Sequence, residues 1–138
     1  MEASHVADDL ESVLLTEDQI QARVAALAAQ LGRDYAGRDP LLVGVLGGAA
    51  TFTVDLARAF EGQVEVSWMA IRSYTTLHRG SGSVRVLKDL DVDIAGRHVV
   101  IVDGVIDTGL TMSWLIANLA PRRPASVAVC ARDRKSVV

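Results

Sequence analysis

The chain has 138 residues, half of them hydrophobic, and a formal net charge of −3. That length holds one domain with a real core and is short for two. No apolar run is long enough to span a bilayer, and the charge balance carries no overall signal for nucleic acid or a membrane surface.

Residues 1–14 read as an acidic lead-in with Glu2, Asp8, Asp9 and Glu11, lacking the basic start of a secretory signal. Thr16 and Gln19 have the spacing of a capping box, and Ile20, Val24, Leu27, Ala28 and Leu31 recur at helical intervals, so an amphipathic helix is expected to end near Gly32. Gly37-Arg38-Asp39-Pro40 punctuates the chain before LLVGVL, whose β-branched apolar run reads as a buried strand closed by Gly47-Gly48. Residues 49–60 turn helical again, with Phe52, Leu56 and Ala59 on one face.

Residues 64–74 are strand-like, and the following TTLHRGSGS is polar and glycine-containing, where His78 and Arg79 read as solvated loop charges. SVRVLKDLD forms another strand pattern with alternating faces. Ala95-Gly96-Arg97 then turns the chain into HVVIVDGVIDTGLT, residues 98–111. Residues 112–119 are helical, Pro121 and Pro124 end them, and residues 125–130 make a last strand in which Cys130 is expected to be buried. Trp68 and Trp114 fall on strand and helix patterns and are expected in the core. The single cysteine excludes an internal disulfide and suits a reducing, cytoplasmic setting.

This order of elements is that of an α/β domain: a central, mostly parallel sheet flanked by helices, with an inserted antiparallel hairpin. Ligands of such sheets bind at the carboxyl ends of the strands. The candidate loops there are Gly47-Gly48, Ser73-Tyr74 onward, and the segment from Asp103 to Thr111.

In that last segment a buried strand ends on an acid, and a second acid with two hydroxyls and a glycine leads into a helix. A helix N-terminus offers unpaired N–H groups and the positive end of its dipole, so the turn suits a phosphomonoester. It matches neither the Walker pattern nor the dinucleotide fingerprint. Asp103 suits sugar hydroxyls or a hard cation such as magnesium. The alternative from these residues alone is an ordinary turn in which Asp107 caps the helix. No His or Cys cluster has the spacing of a zinc site.

VVIVDGVIDTGLT resembles the phosphoribosyl-diphosphate (PRPP) signature of type I phosphoribosyltransferases, and the rest of the chain resembles the hypoxanthine-guanine branch. LLVGVLGGAATF is similar to its first strand and diphosphate loop, Ser73-Tyr74 to its flexible catalytic loop, and SVRVLKDLDVDIAGRHVVIVD to its hairpin and next strand. The resemblance implies a type I phosphoribosyltransferase fold and transfer of phosphoribose from PRPP to hypoxanthine or guanine, with Mg2+. Asp107 would accept the purine's proton, and Asp107, Thr108, Gly109, Leu110 and Thr111 would hold the 5′-phosphate. Asp103 and Gly104 would lie on the ribose and metal side, with Asp103 toward the metal; Leu46, Gly47 and Gly48 would form the diphosphate loop, and Lys135 would read the purine. Lys88-Asp89 would have a structural or subunit-contact role. The resemblance also implies a homo-oligomer, dimer or tetramer, with neither nucleic acid nor membrane as partner.

The chain departs from the family pattern in three places. Gly104 stands where the signature has a second acid, and Gly47 where lysine is frequent. After Cys130 the chain reads Ala131-Arg132-Asp133-Arg134-Lys135 instead of an apolar strand, so residues 15–138 are expected to lack the C-terminal purine hood. Besides the enzyme, the expectation therefore includes an impaired PRPP- or nucleotide-binding remnant, or a regulator of the same fold. The other reading of Lys135 is a plain charge near the end of the chain.

Overall fold

A computed structural model describes residues 16–75, 82–106 and 109–134. The acidic lead-in, Asp107, Thr108 and Lys135 lie outside the described residues. In chain order the elements are α1 (Glu17–Asp34), β1 (Leu41–Val45), α2 (Ala50–Ala59), β2 (Glu65–Thr75), β3 (Gly82–Lys88), β4 (His98–Ile106), α3 (Leu110–Leu119), a short 3-10 turn (Ala120–Arg122) and β5 (Ser126–Arg134).

The sheet runs β3-β2-β1-β4-β5. β1 pairs in parallel with β2 and β4, β4 pairs in parallel with β5, and only β3 is antiparallel, against β2. A parallel sheet needs cover on both faces, and β1 is accordingly buried at all five positions. Its side chains alternate between two cores. Leu41, Val43 and Val45 pack with Met69, Ile101, Leu115 and Leu119 on the α3 side. Leu42 packs with Val100, Val102, Phe52 and Leu56 beneath α1 and α2.

The capping box of α1 forms as the spacing implies: the Gln19 N–H donates to Thr16 Oγ1 at 3.1 Å, and the Thr16 N–H donates to Gln19 Oε1 at 2.9 Å. Val24, Ala28 and Leu31 are the buried stripe, and the helix runs past Gly32 to Asp34. At its far end Tyr35 meets the His98 ring edge-on, and His98 Nδ1 lies 2.7 Å from Ser126 Oγ. Burial first, then the neighbouring Asp34 carboxylate, pushes the Tyr35 phenol above its ordinary value. This cluster fixes α1 to the starts of β4 and β5, at the end of the sheet opposite the carboxyl ends of its parallel strands.

The structure corrects several expectations. Ala59 is exposed, and the buried face of α2 is Phe52, Thr53 and Leu56; the Thr53 hydroxyl satisfies itself by donating to the Ala49 carbonyl at 2.7 Å. Trp68 is half-buried and lies over Gly44 instead of joining either core, whereas Trp114 packs against the α3-side core. β3 stops at Lys88. The last strand does not stop at Cys130: β5 continues through Arg132 and Asp133 to Arg134, with Asp133 opposite Val105 and Arg134 opposite Ile106. Charged residues are tolerated there because β5 is an edge strand whose ladder needs only backbone groups. Arg23 of α1 supports it by donating to the Arg132 carbonyl at 3.1 Å. Cys130 is buried as expected, and burial pushes its thiol up to about 11.

At the end of β3, Lys88 donates to the carbonyls of Trp68 and Asp89 and to the Asp91 carboxylate. Asp89 is held in turn by Arg122, which also donates to Asn118 on α3. These residues tie the hairpin to the C-terminal end of α3. No described helix is long and apolar enough to cross a membrane.

Candidate functional site

The strand order reverses at β1: the chain leaves it toward β2 and β3, then returns to its other side with β4 and β5. A crevice opens between the carboxyl ends of strands where such a reversal occurs, and open α/β sheets place ligands there. The end of β1 and the end of β4 are therefore the two walls to inspect.

On the β1 side, the Leu46 N–H donates to the Met69 carbonyl at 2.7 Å, extending the sheet by one bond before the chain turns. Gly47 follows at φ +114°, a conformation that requires glycine. Gly48 leads into α2, whose first turn holds no acid and whose N-cap, Ala49, offers no side-chain bond. Thus Leu46, Gly47 and Gly48 form a compact turn with its backbone open at the sheet's end. Gly47 and Gly48 have nothing within 4 Å of the positions their Cβ atoms would take.

On the β4 side the strand presents Asp103 and Gly104 toward opposite faces. Asp103 shares the parity of Val99 and Ile101, which face α3, and Gly104 shares that of Val100 and Val102, which face α1 and α2. The half-buried Asp103 carboxylate accepts the Gly104 N–H at 2.8 Å, which fixes its orientation. A Cβ on Gly104 would stand 3.3 Å from the Gly48 carbonyl oxygen. The two predicted loops are thus in contact across the crevice.

Gly109 is the N-cap of α3 at φ +83°, with no side-chain cap, and its carbonyl accepts the Ser113 N–H at 2.8 Å. Leu110 and Thr111 are the first helical residues, so their N–H groups belong to the open end of the helix. Ser73 and Tyr74 stand in β2 opposite Val84 and Ser83, at the end of the strand read over residues 64–74 and directly ahead of the polar segment whose catalytic-loop role the resemblance implies. The structure brings together Leu46, Gly47, Gly48, Asp103 and Gly104.

Sequence reasoning missed Gly44 and the pairing of Arg72 with Arg85. A Cβ on Gly44 would meet Trp68 ring carbons at 2.4 and 2.5 Å, so the indole lies directly across the strand. Arg72 and Arg85 face each other across β2 and β3. Neither is visible without the strand register. A cavity of about 320 Å³ lies on the flank between α1 and β5, lined in part by Leu27, Leu31, Tyr35 and Cys130, and holds none of the expected site residues.

The fold is an α/β domain with a switch-point crevice at the ends of β1 and β4, where open sheets of this kind place ligands. Phosphoribosyl transferase domain is the description of the family whose sequence pattern matches residues 13–135, and the chain belongs to that family. It is 51% identical over 133 residues to the hypoxanthine-guanine phosphoribosyltransferase of Mycobacterium bovis, covering 92% of this chain and 66% of that protein. It is 40% identical over 137 residues to the hypoxanthine-guanine-xanthine phosphoribosyltransferase of Tritrichomonas foetus, covering 99% and 74%. A crystal structure of hypoxanthine phosphoribosyltransferase from Staphylococcus aureus superimposes with a TM-score of 0.86 at 31% identity, covering 97% of this chain and 76% of that one. The chain spans just under two thirds of the length of the mycobacterial relatives.

Proposed function

We propose that the chain transfers the 5-phosphoribosyl group from PRPP to hypoxanthine or guanine, giving IMP or GMP and diphosphate, with residues 15–138 as the transferase domain. The observation that carries this reading is the meeting, at the β1/β4 switch point, of the Gly47-Gly48 turn with the Asp103-Gly104 strand end. The relatives named above supply the substrate class.

In the reaction the bond from ribose C1 to the diphosphate oxygen breaks, and its electron pair leaves with the diphosphate. A purine imidazole nitrogen bonds to C1, and the proton of the base passes to an acceptor, the role assigned to Asp107. Between these events the sugar is oxocarbenium-like and the leaving group gains charge, so preorganised donors serve it best. The open N–H groups at the start of α3, with Thr108 and Thr111, would hold the 5′-phosphate. The turn at Leu46, Gly47 and Gly48 would offer backbone donors to the diphosphate. Asp103, oriented by the Gly104 N–H, would accept from ribose hydroxyls; Ser73 and Tyr74 would come from the side of the hairpin, and Lys135 would face the base.

The donor set fits a magnesium ion carried in by the substrate. Asp103 offers one hard carboxylate, and no cluster of three or more metal-binding side chains occurs among the described residues, so most ligands would be substrate oxygens and water. When bound, the ion would neutralise charge on the leaving diphosphate. A homo-oligomer, dimer or tetramer, in the cytoplasm completes the proposal; the lone cysteine, buried as a free thiol, supports a reducing compartment.

Gly104 favours a second reading, a PRPP- or nucleotide-binding protein with weak turnover, because one charged partner of the sugar and metal is absent. Titration calorimetry with PRPP and magnesium, followed by a hypoxanthine and guanine turnover assay on the same sample, separates the two. Binding with turnover is expected; binding without turnover selects the second reading, and the absence of binding overturns both.

A further inference from the structure

We propose that Arg72 and Arg85 form a two-guanidinium clamp for the diphosphate group of the substrate, an assignment that rests on the phosphoribosyl transfer proposed above. The two residues are direct partners in the antiparallel β2/β3 register, so their side chains leave the same face of the ribbon. Directly opposed residues have Cβ atoms roughly 4.5–5.5 Å apart, and like charges so placed destabilise a sheet. Both arginines are exposed; Arg85 has an interaction of its own besides this pairing, and no ion pair joins Arg72 to a described acid. An anion between them converts that repulsion into two charge-assisted contacts.

Their position selects the anion. The pairing of β1 with β2 ends at Val45 and Met69, while β2 continues to Thr75, so β2 and β3 project as a two-stranded arm past the sheet's carboxyl edge. Arg72 stands three residues beyond Met69, about 10 Å along the arm at roughly 3.3 Å per residue. Met69 and Ile71 pack toward α3, which puts Arg72 and Arg85 on the opposite face. The turn through Gly47 and Gly48 enters α2 from that same face, where Gly104 also lies.

On this face the turn after β1 and the end of β4 supply glycine backbone and no cation, because Leu46, Gly47, Gly48 and Gly104 carry no charge; the strand-end cation there is Arg132 of β5, whose carbonyl is tied to Arg23 of α1. A diphosphate lying over the turn would therefore meet guanidinium groups directly. Arginine suits the task, since its planar fork matches two phosphate oxygens at once. The clamp makes or breaks no bond; it holds the leaving group while charge accumulates on it.

The test uses the full chain and the variants Arg72→Gln, Arg85→Gln, the double variant, and Arg72→Lys, each titrated with inorganic diphosphate, with PRPP and with IMP, with and without magnesium. The double variant is expected to lose affinity for diphosphate and PRPP by about tenfold or more, to keep its IMP affinity within about twofold, and to show a shallower salt dependence; Arg72→Lys recovers part of the loss. Thermal melts of the variants check that each one is folded, so that a loss of affinity is read on intact protein. Unchanged diphosphate affinity, or an equal fall for IMP and diphosphate, overturns the clamp. If the parent binds diphosphate through these arginines but does not bind PRPP, the clamp stands and the proposed transferase function fails. If it binds PRPP and the variants bind diphosphate as well as the parent does, the function stands and the clamp fails.

Discussion

Gly104 and Gly48 meet across the crevice so closely that a Cβ on Gly104 would lie 3.3 Å from the Gly48 carbonyl oxygen. Glycine at 104 thus lets the turn after β1 and the end of β4 approach, and under the proposed function it also leaves the sugar and metal side one acid short.

Gly104→Asp is expected to have two opposed effects. The Gly48 turn must yield by a few tenths of an ångström, which lowers stability slightly. The added carboxylate contributes a charge-assisted partner worth about 1.5–3 kcal/mol, so magnesium-dependent PRPP affinity should rise by roughly one to two decades. Calorimetric titration alongside a thermal melt checks both, and no gain in affinity would mean that position 104 does not face the sugar.

Asp107→Asn tests the proton acceptor. Turnover is expected to fall by roughly 10²–10⁴, the usual contribution of general acid–base catalysis, with PRPP affinity nearly unchanged. Equal losses in binding and turnover would assign Asp107 to the phosphate loop alone.

Gly44→Ala addresses the scaffold behind the site. Its Cβ would stand 2.4 Å from a Trp68 ring carbon and 3.0 Å from Thr53 Cγ2, so the indole or α2 must shift. Overpacking of this kind costs about 1–3 kcal/mol. Urea denaturation should show that loss, and the double variant with Trp68→Leu should recover most of it.

The grip of Arg122 on Asp89 predicts a pH dependence. Hydrogen bonds from Arg122, opposed by partial burial and assisted by the Leu90 N–H, hold the Asp89 carboxyl below its ordinary value. A lowered folded value means that the unfolded chain binds the proton first. The contribution is complete above the unfolded value of about 3.9 and is lost as pH falls through the lower folded value. Because the pair is solvent-exposed, Asp89→Asn should cost no more than about 1 kcal/mol at neutral pH and flatten the acid limb of the stability curve. An unaltered acid limb would assign it to other carboxylates.

Much of the fold was legible because burial imposes local patterns. The capping box at Thr16, the stripe through Val24, Ala28 and Leu31, and the doubly apolar LLVGV each obey a period set by helix or strand geometry. The pattern misled where burial depends on neighbours. Ala59 has the spacing of a core residue yet is exposed, because α2 ends there and Phe60 turns away into extended backbone. β5 carries Arg132 and Asp133 because an edge strand asks little of its side chains.

The sequence alone determined the order of the elements and the types of residue that stand at the strand ends, since these follow from short-range periodicity and from residue type. Tertiary structure decided what meets what: Gly48 against Gly104, Trp68 over Gly44, Arg72 opposite Arg85, Asp89 in the grip of Arg122. Those contacts depend on strand order and register, which are fixed by pairing between segments distant in the chain and leave no periodic trace within either segment.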